Sequence, residues 1–233
     1  MLFRSRIYEH VSVEATAAGW GVSLDGRAVT TPARAPLLLP TPALAAAVAG
    51  EWRCQGADVR PESMPLTRLA ATAIDLLPDR REAVIDEIAT FGASDLLCYR
   101  AEGNDELARR QEAAWQPLLD WAATTLGARL CVTSGVLPVP QEAEALVALR
   151  RELAAAGDFD LAALHTLTSA SGSLIVALAL KRGEIDAPAA VELSQLDEDY
   201  QVERWGDTPE AAAGRRDNRL QIEQAAAFLD WLG

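Results

Sequence analysis

The chain has 233 residues, 50% of them apolar and 24% charged, and its 34 acidic side chains outnumber 21 basic ones for a formal net charge of −13. Such a composition can bury a core and excludes intrinsic disorder; three widely spaced cysteines without a CxxC pattern and two distant histidines exclude a disulfide scaffold and a zinc site. An acidic balance with no basic run longer than a pair argues against nucleic acid and against insertion into, or docking on, an anionic membrane.

The first forty residues predict β structure. His10–Glu14 and Trp20–Leu24 alternate polar and apolar residues, the period of half-buried strands. Asp25-Gly26 between Leu24 and Ala28 is a hairpin turn, because both residues tolerate positive φ. Ala28–Thr31 is the expected return strand, and Leu37–Leu39 extends the small sheet among Pro32, Pro36 and Pro40. The period then changes. Thr41-Pro42 reads as an N-cap followed by proline in the first helical turn, opening an alanine-rich helix to about Gln55-Gly56.

Helical patterns fill the rest. Pro78-Asp79 opens a helix with Val84, Ile88 and Phe91 on one face; Asn104 or Asp105 opens another to Gly127, with Trp115, Leu118, Ala122 and Leu126 inward. Pro117 predicts a kink or break in it. Arg129–Thr133 is a candidate strand, followed by helices near 141–156, 160–181, 187–204 and 209–232, with Gly183 and Gly206 at C-terminal caps. The uncharged run from Leu161 to Leu180 is long enough to span a bilayer, but His165, Thr166, Thr168 and the serines of its first two-thirds predict a core helix instead. The fold class expected is α+β, with a β-rich N-terminal domain over residues 1–55 and an α-helical C-terminal domain over 56–233.

No motif carries catalysis. His165 is the one plausible base, yet Ser171 and Ser173 lie six and eight residues along the same helical pattern, and no GxSxG elbow is present. The ordinary expectation for such a histidine is a hydrogen-bonded core residue. Neither GxxxxGK[ST] nor GxGxxG occurs, so no nucleotide or other cofactor is expected. Charge is unevenly spread. Residues 184–210 hold nine acids against Arg204 alone, and aromatic residues join them in Leu196–Asp207. Two accounts fit that segment: an acidic helix ending at a glycine cap with Trp205 in the core, or a docking surface with an aromatic anchor and flanking acids that set register.

Several segments together resemble a known family: Leu24–Arg27 with Thr31-Pro32, Met64–Ala70 with Thr72–Asp75, Asp95–Ala101, Gly172–Leu174, and Leu196–Asp199 with Trp205-Gly206. In order and spacing they are similar to the bacterial form of the assembly chaperone for the alpha subunit of F(1)-ATPase, over about residues 6 to 230. Tyr200 stands where that family's pattern has tryptophan, and Ala71 where it has asparagine. The resemblance implies a cytoplasmic, non-enzymatic chaperone of ATP synthase assembly that binds the unassembled alpha subunit and shields its beta-facing surface. It also implies a required acidic residue in the C-terminal region, with Glu198, Glu203 and Asp207 as the candidates. The partner-binding residues expected are Asp197, Glu198, Asp199, Gln201, Glu203, Trp205 and Asp207. The competing functions are an acidic helical scaffold for another protein and a soluble hydrolase using His165.

Overall fold

The computed structural model describes residues 4–103, 105–135 and 137–233; Asn104, one of the two candidate starts of the fourth helix, lies outside them. The fold is α+β. Strands β1 (Arg4–Ser5), β2 (Val11–Thr16), β3 (Gly19–Leu24), β4 (Arg27–Ala28) and β5 (Leu38–Leu39) precede helix α1 (Pro42–Arg53). After β6 (Asp58–Val59), the order is α2 (Pro65–Asp75), α3 (Leu77–Thr90), β7 (Tyr99–Arg100), α4 (Glu106–Trp121), β8 (Thr133–Ser134) and α5 (Ala143–Ala155). The chain ends with α6 (Asp158–Ser171), α7 (Leu174–Lys181), α8 (Ala187–Ser194), α9 (Leu196–Trp205) and α10 (Pro209–Leu232).

Internal contacts divide the chain into two compact units. One comprises residues up to Arg81 with Gly157–Ala163 and Ala227–Gly233; the other comprises Glu82–Ala156 and Leu164–Ala226. The divisions fall inside α3, α6 and α10.

In the first unit β3 is the central strand. It pairs antiparallel with β2 from Val11↔Leu24 to Thr16↔Gly19, and its other edge is shared by β4 and β5. Asp25 and Gly26 both adopt positive φ, 48° and 76°, the backbone that joins two right-twisted strands tightly. Gly19 is required where the strands begin, since a Cβ there would sit 2.8 Å from the Leu39 carbonyl oxygen. The sheet buries Val22, Leu37 and Leu39 with Leu44, Val48 and Ala49 of α1. Thr41 caps α1 by accepting the Leu44 N–H at 3.1 Å.

Two of the recognisable motifs act as clasps here. Met64 offers α2 no side-chain cap, and the carboxylate of Glu51 replaces it, accepting the Leu66 and Thr67 N–H groups at 2.7 and 2.8 Å and the Thr67 hydroxyl at 2.7 Å. At the other end of α2, Asp75 accepts the Thr31 hydroxyl at 2.6 Å and the Ala33 N–H at 3.0 Å, which pins the proline-containing turn after the hairpin.

In the second unit α7 is buried over its whole apolar length, Leu174 to Leu180, as expected of a central helix. Against it pack α4 and α8, which bury Trp115, Leu118, Leu119 and Val191, while α5 buries Leu149 and Leu153 in the same unit. The expected run over 160–181 is in fact two helices. Gly172 takes φ 70°, and Ser173 becomes the N-cap of α7, accepting the Val176 N–H at 3.0 Å. The run over 187–204 is likewise divided, at Gln195, whose buried amide donates to the Arg215 carbonyl at 2.7 Å. Pro117 does not break α4; the helix continues to Trp121 and then widens into a π turn, Ala122–Leu126, closed by Gly127 at φ 71°. The strand expected at Arg129–Thr133 is shorter and shifted, with Thr133–Ser134 pairing parallel to β7.

Candidate functional site

The acidic segment forms α9 and the turn into α10, both within the second unit at this point of the chain. None of residues 196–221 is buried. A segment without a buried apolar side chain relies on polar contacts, so the placement of each charge decides what it can offer.

Seen down its axis, α9 separates into two faces. Asp197, Tyr200, Glu203 and Arg204 recur at helical spacing on one side and are tied to α4. Gln111 on α4 is the fixed point. Its buried amide oxygen accepts the Ala101 N–H at 2.7 Å, and its nitrogen donates to Asp197 at 2.8 Å. Burial raises the Asp197 carboxyl above the usual range, against the lowering effect of the Gln111 hydrogen bond and the Arg100 charge. Arg110 pairs with Glu106 at 2.7 Å and with Glu203 at 2.8 Å, while Arg204 reaches back to Glu106 at 2.8 Å. The Arg110 hydrogen bond holds Glu106 below the ordinary carboxylate range. The Tyr200 ring lies near both guanidiniums, 5.3 Å from Arg110 and 5.2 Å from Arg204. Tyr200, where the family pattern has tryptophan, therefore faces α4.

Beneath this network Arg100 stacks 5.1 Å from the Trp115 ring centroid, and Trp115 donates its indole N–H to the Leu193 carbonyl at 2.9 Å. Arg100 is 8% exposed, and its nearest carboxylate oxygen belongs to Glu112, at 3.8 Å.

The other face of α9 is open. Glu198, Gln201 and Trp205 fall at i, i+3 and i+7; burial raises the Glu198 carboxyl above its ordinary range, against the lowering effect of its own backbone N–H and the Arg215 charge, and no ion pair ties the three to a described residue. Trp205 is 78% exposed, so the account that tucked it into the core is corrected. The fixed Glu106–Arg110–Glu203 pairings explain why. The network places the tied side of α9 against α4, and Trp205 lies outside that side. Asp199 and Asp207 belong to a third group, both facing Arg215 on α10, with Asp199 at 3.7 Å. The Arg215 guanidinium holds the Asp207 carboxyl below its ordinary range.

The seven residues singled out in the sequence thus lie on one short segment but are sorted apart: Asp197 and Glu203 face α4, Asp199 and Asp207 face Arg215, and Glu198, Gln201 and Trp205 lie on the open side. Those missed are Gln111, Arg110, Glu106 and Arg215. The Glu106–Arg110 and Tyr200–Arg204 pairs were visible as i, i+4 spacings, but nothing in the sequence pairs α4 with α9. Because the exposed ion pairs that hold α9 are screened by salt, Arg110→Ala is expected to speed amide exchange in α9 by about fivefold, with high salt acting in the same direction. Unchanged exchange in α9 under both treatments, with α7 as the protected reference, would show that some other contact holds the helix.

His165 is neither a core residue nor part of a triad. Its side chain is half-exposed, with Nε2 3.2 Å from Glu87 Oε1. Ser171 donates to the Leu167 carbonyl and Ser173 to Asp95, so both hydroxyls are engaged away from it. Among the described residues no group of three or more histidine, cysteine and acidic side chains could hold a metal ion, and no helix is long and apolar enough to cross a membrane.

Comparison with known proteins agrees with the fold. The crystal structure of Atp12 from Paracoccus denitrificans superposes with a TM-score of 0.94 at 43% identity, covering 98% of both chains. A single-substitution variant of that protein gives a TM-score of 0.94 at 42% identity, again over 98% of both chains. The mitochondrial protein atp12 of Schizosaccharomyces pombe is 28% identical over 202 residues, 82% of this chain and 69% of that protein. These likenesses define a protein of the chaperone class. The family model for ATP12 chaperone protein matches residues 5–123, and the chain belongs to the ATP12 chaperone family.

Proposed function

We propose that this chaperone serves ATP synthase assembly by binding the unassembled F1 alpha subunit and covering the surface that later meets the beta subunit. The observation that carries the reading is the open face of α9: Glu198, Gln201 and an exposed Trp205, presented by a helix whose opposite face is ionically fixed. An exposed tryptophan beside unpaired polar groups has the composition of an interface hot spot. A client's exposed interface is prone to aggregate, and a binder that covers it holds the client in an assembly-competent state. The beta subunit then displaces the chaperone by offering a larger interface, a mass-action exchange that requires no nucleotide hydrolysis by this chain. Action in the cytoplasm of a bacterial cell is part of the same proposal.

The test is capture from a reducing lysate with the tagged chain as bait. Selective recovery of alpha subunit, released on addition of purified beta subunit, is the expected result. A folded bait that fails to enrich alpha would remove the client assignment, and alpha that stays bound in excess beta would remove the displacement step. The scaffold alternative predicts a different abundant partner in the same experiment.

A further inference from the structure

Among the described residues two charged side chains are buried, Asp95 and Arg100, and only Asp95 has its hydrogen bonds. None of the three Arg100 guanidinium nitrogens is exposed, and none meets a hydrogen-bond acceptor among the described residues. Glu112, from a largely exposed position on α4, comes to 3.8 Å of Nε, beyond hydrogen-bonding distance, and the Trp115 ring offers its face to the charge. A guanidinium cannot shed its proton to escape such a setting, and an unbranched apolar side chain of similar length would fill the slot beside Trp115 with less loss. The cation therefore sits there against the stability of the fold. The carboxylates whose charges act on it are Glu112 and Asp197; the third ionisable neighbour, Cys98, is pushed up to about 12 by burial and is a neutral thiol.

We propose that Arg100 is a positioning residue for the docking segment: its buried charge holds the Asp197 carboxylate against Gln111 and so fixes the start of α9, while lowering the stability of the fold. Asp197 needs such a cation. Its half-buried carboxylate accepts one side-chain hydrogen bond, from Gln111 at 2.8 Å, and burial works against its charge. Arg100 is the cation that opposes this effect, whereas Arg110 and Arg204, on the same side of α9, are taken up by Glu106 and Glu203. A guanidinium out of solvent is also screened less than a surface arginine, so its field on Asp197 is the stronger for being buried. The fixing of α9 stands on this geometry alone; the consequence for client binding rests on the docking role proposed above.

The test is Arg100→Met, which keeps an unbranched side chain beside Trp115 and removes the charge, alone and combined with Asp197→Asn. Arg100→Met is expected to melt no lower than wild type, to speed amide exchange in α9 by about fivefold relative to α7, and to weaken binding of purified alpha subunit by a similar factor. In the Asp197→Asn background the same substitution is expected to leave α9 exchange unchanged, because the charge it acts through is gone. Unchanged α9 exchange in Arg100→Met overturns the proposal. So does faster exchange with a fall in melting temperature of more than about 4 °C, which marks Arg100 as a packing residue. An equal acceleration in the Asp197→Asn background overturns the route through Asp197. Loosened α9 with full affinity for alpha overturns the link from positioning to docking. A wild-type chain that does not bind alpha at all overturns the client assignment instead, and the exchange measurement still decides the role of Arg100.

Discussion

Replacing Asp95 by alanine is expected to lower the melting temperature by roughly 6–12 °C near neutral pH, as a loss of about 3 kcal/mol does in a chain of this size. Asp95 is fully buried where the segment before β7 meets the start of α7. Its carboxylate accepts the Ser173 hydroxyl at 2.7 Å, the Ile175 N–H at 3.1 Å and the Leu97 N–H at 3.1 Å. A neighbouring backbone bond, Leu96 N–H to the Gly172 carbonyl at 3.1 Å, completes the clasp. Alanine leaves two backbone donors and a hydroxyl buried without an acceptor, a larger penalty than the net worth of the bonds themselves. The loss also reaches the docking segment. Asp95 fixes the run into β7 and Ala101, Ala101 is held by Gln111, and Gln111 holds Asp197 at the start of α9. A scan showing less than about 2 °C of change would mean that the helix start finds other acceptors.

The same residue gives the stability of the protein a pH dependence. Burial pushes the Asp95 carboxyl up to about 6 from its ordinary 3.8, overcoming the hydrogen bonds that favour the charged form. The folded chain therefore holds this proton more tightly than the unfolded chain does. The associated stability is fully present below the ordinary value and is lost as the pH rises through about 6, by about 3 kcal/mol in all. Asp95→Asn has no such titration. The stability of wild type relative to Asp95→Asn is expected to fall between pH 4 and 6, and parallel stability curves for the two would contradict the assignment.

The local features of the first unit were legible because they depend on short-range chemistry. Asp25-Gly26 announces a hairpin through its tolerance of positive φ, and Thr41-Pro42 announces a helix start through capping and a preset φ. The two helix divisions, at Gly172-Ser173 and at Gln195, were not legible. Leucine and alanine continue the helical period across both points, and what divides the chain is tertiary: Asp95 seizing Ser173, and the Arg215 carbonyl receiving Gln195. The recognisable motifs show the same division. Met64–Ala70, Thr72–Asp75, Asp95–Ala101 and Gly172–Leu174 stand out in sequence, yet in the folded chain they contribute to the capping of α2 by Glu51 and the clasps of Asp75 and Asp95. The Leu196–Asp207 segment differs in leaving a face without an internal ion pair. Sequence located that segment but not which acids were free, since the choice is made by Arg110, almost a hundred residues earlier, and by Arg215 beyond the turn.

This sorting sharpens what mutation of the docking segment will do. Trp205→Ala is expected to weaken binding of the alpha subunit by about thirtyfold or more, the effect of removing an aromatic hot spot, and to leave the melting temperature unchanged within about 2 °C. The separation of the two effects follows from exposure. Trp205 is 78% exposed, so the folded chain gains little from it, whereas a partner that covers the indole removes a large apolar surface from water. Glu198→Lys reverses a charge on the same open face and is expected to weaken binding with the fold intact. Glu203→Lys is expected to weaken binding by a different route, since Glu203 is paired with Arg110 and its reversal also loosens α9 from α4. Amide exchange distinguishes the routes: α9 stays protected in Trp205→Ala and Glu198→Lys and becomes labile in Glu203→Lys. Full affinity in both Trp205→Ala and Glu198→Lys would move the client interface off this face. Loss of affinity in Glu203→Lys alone would then mean that the client reads the placement of α9 rather than its exposed side chains.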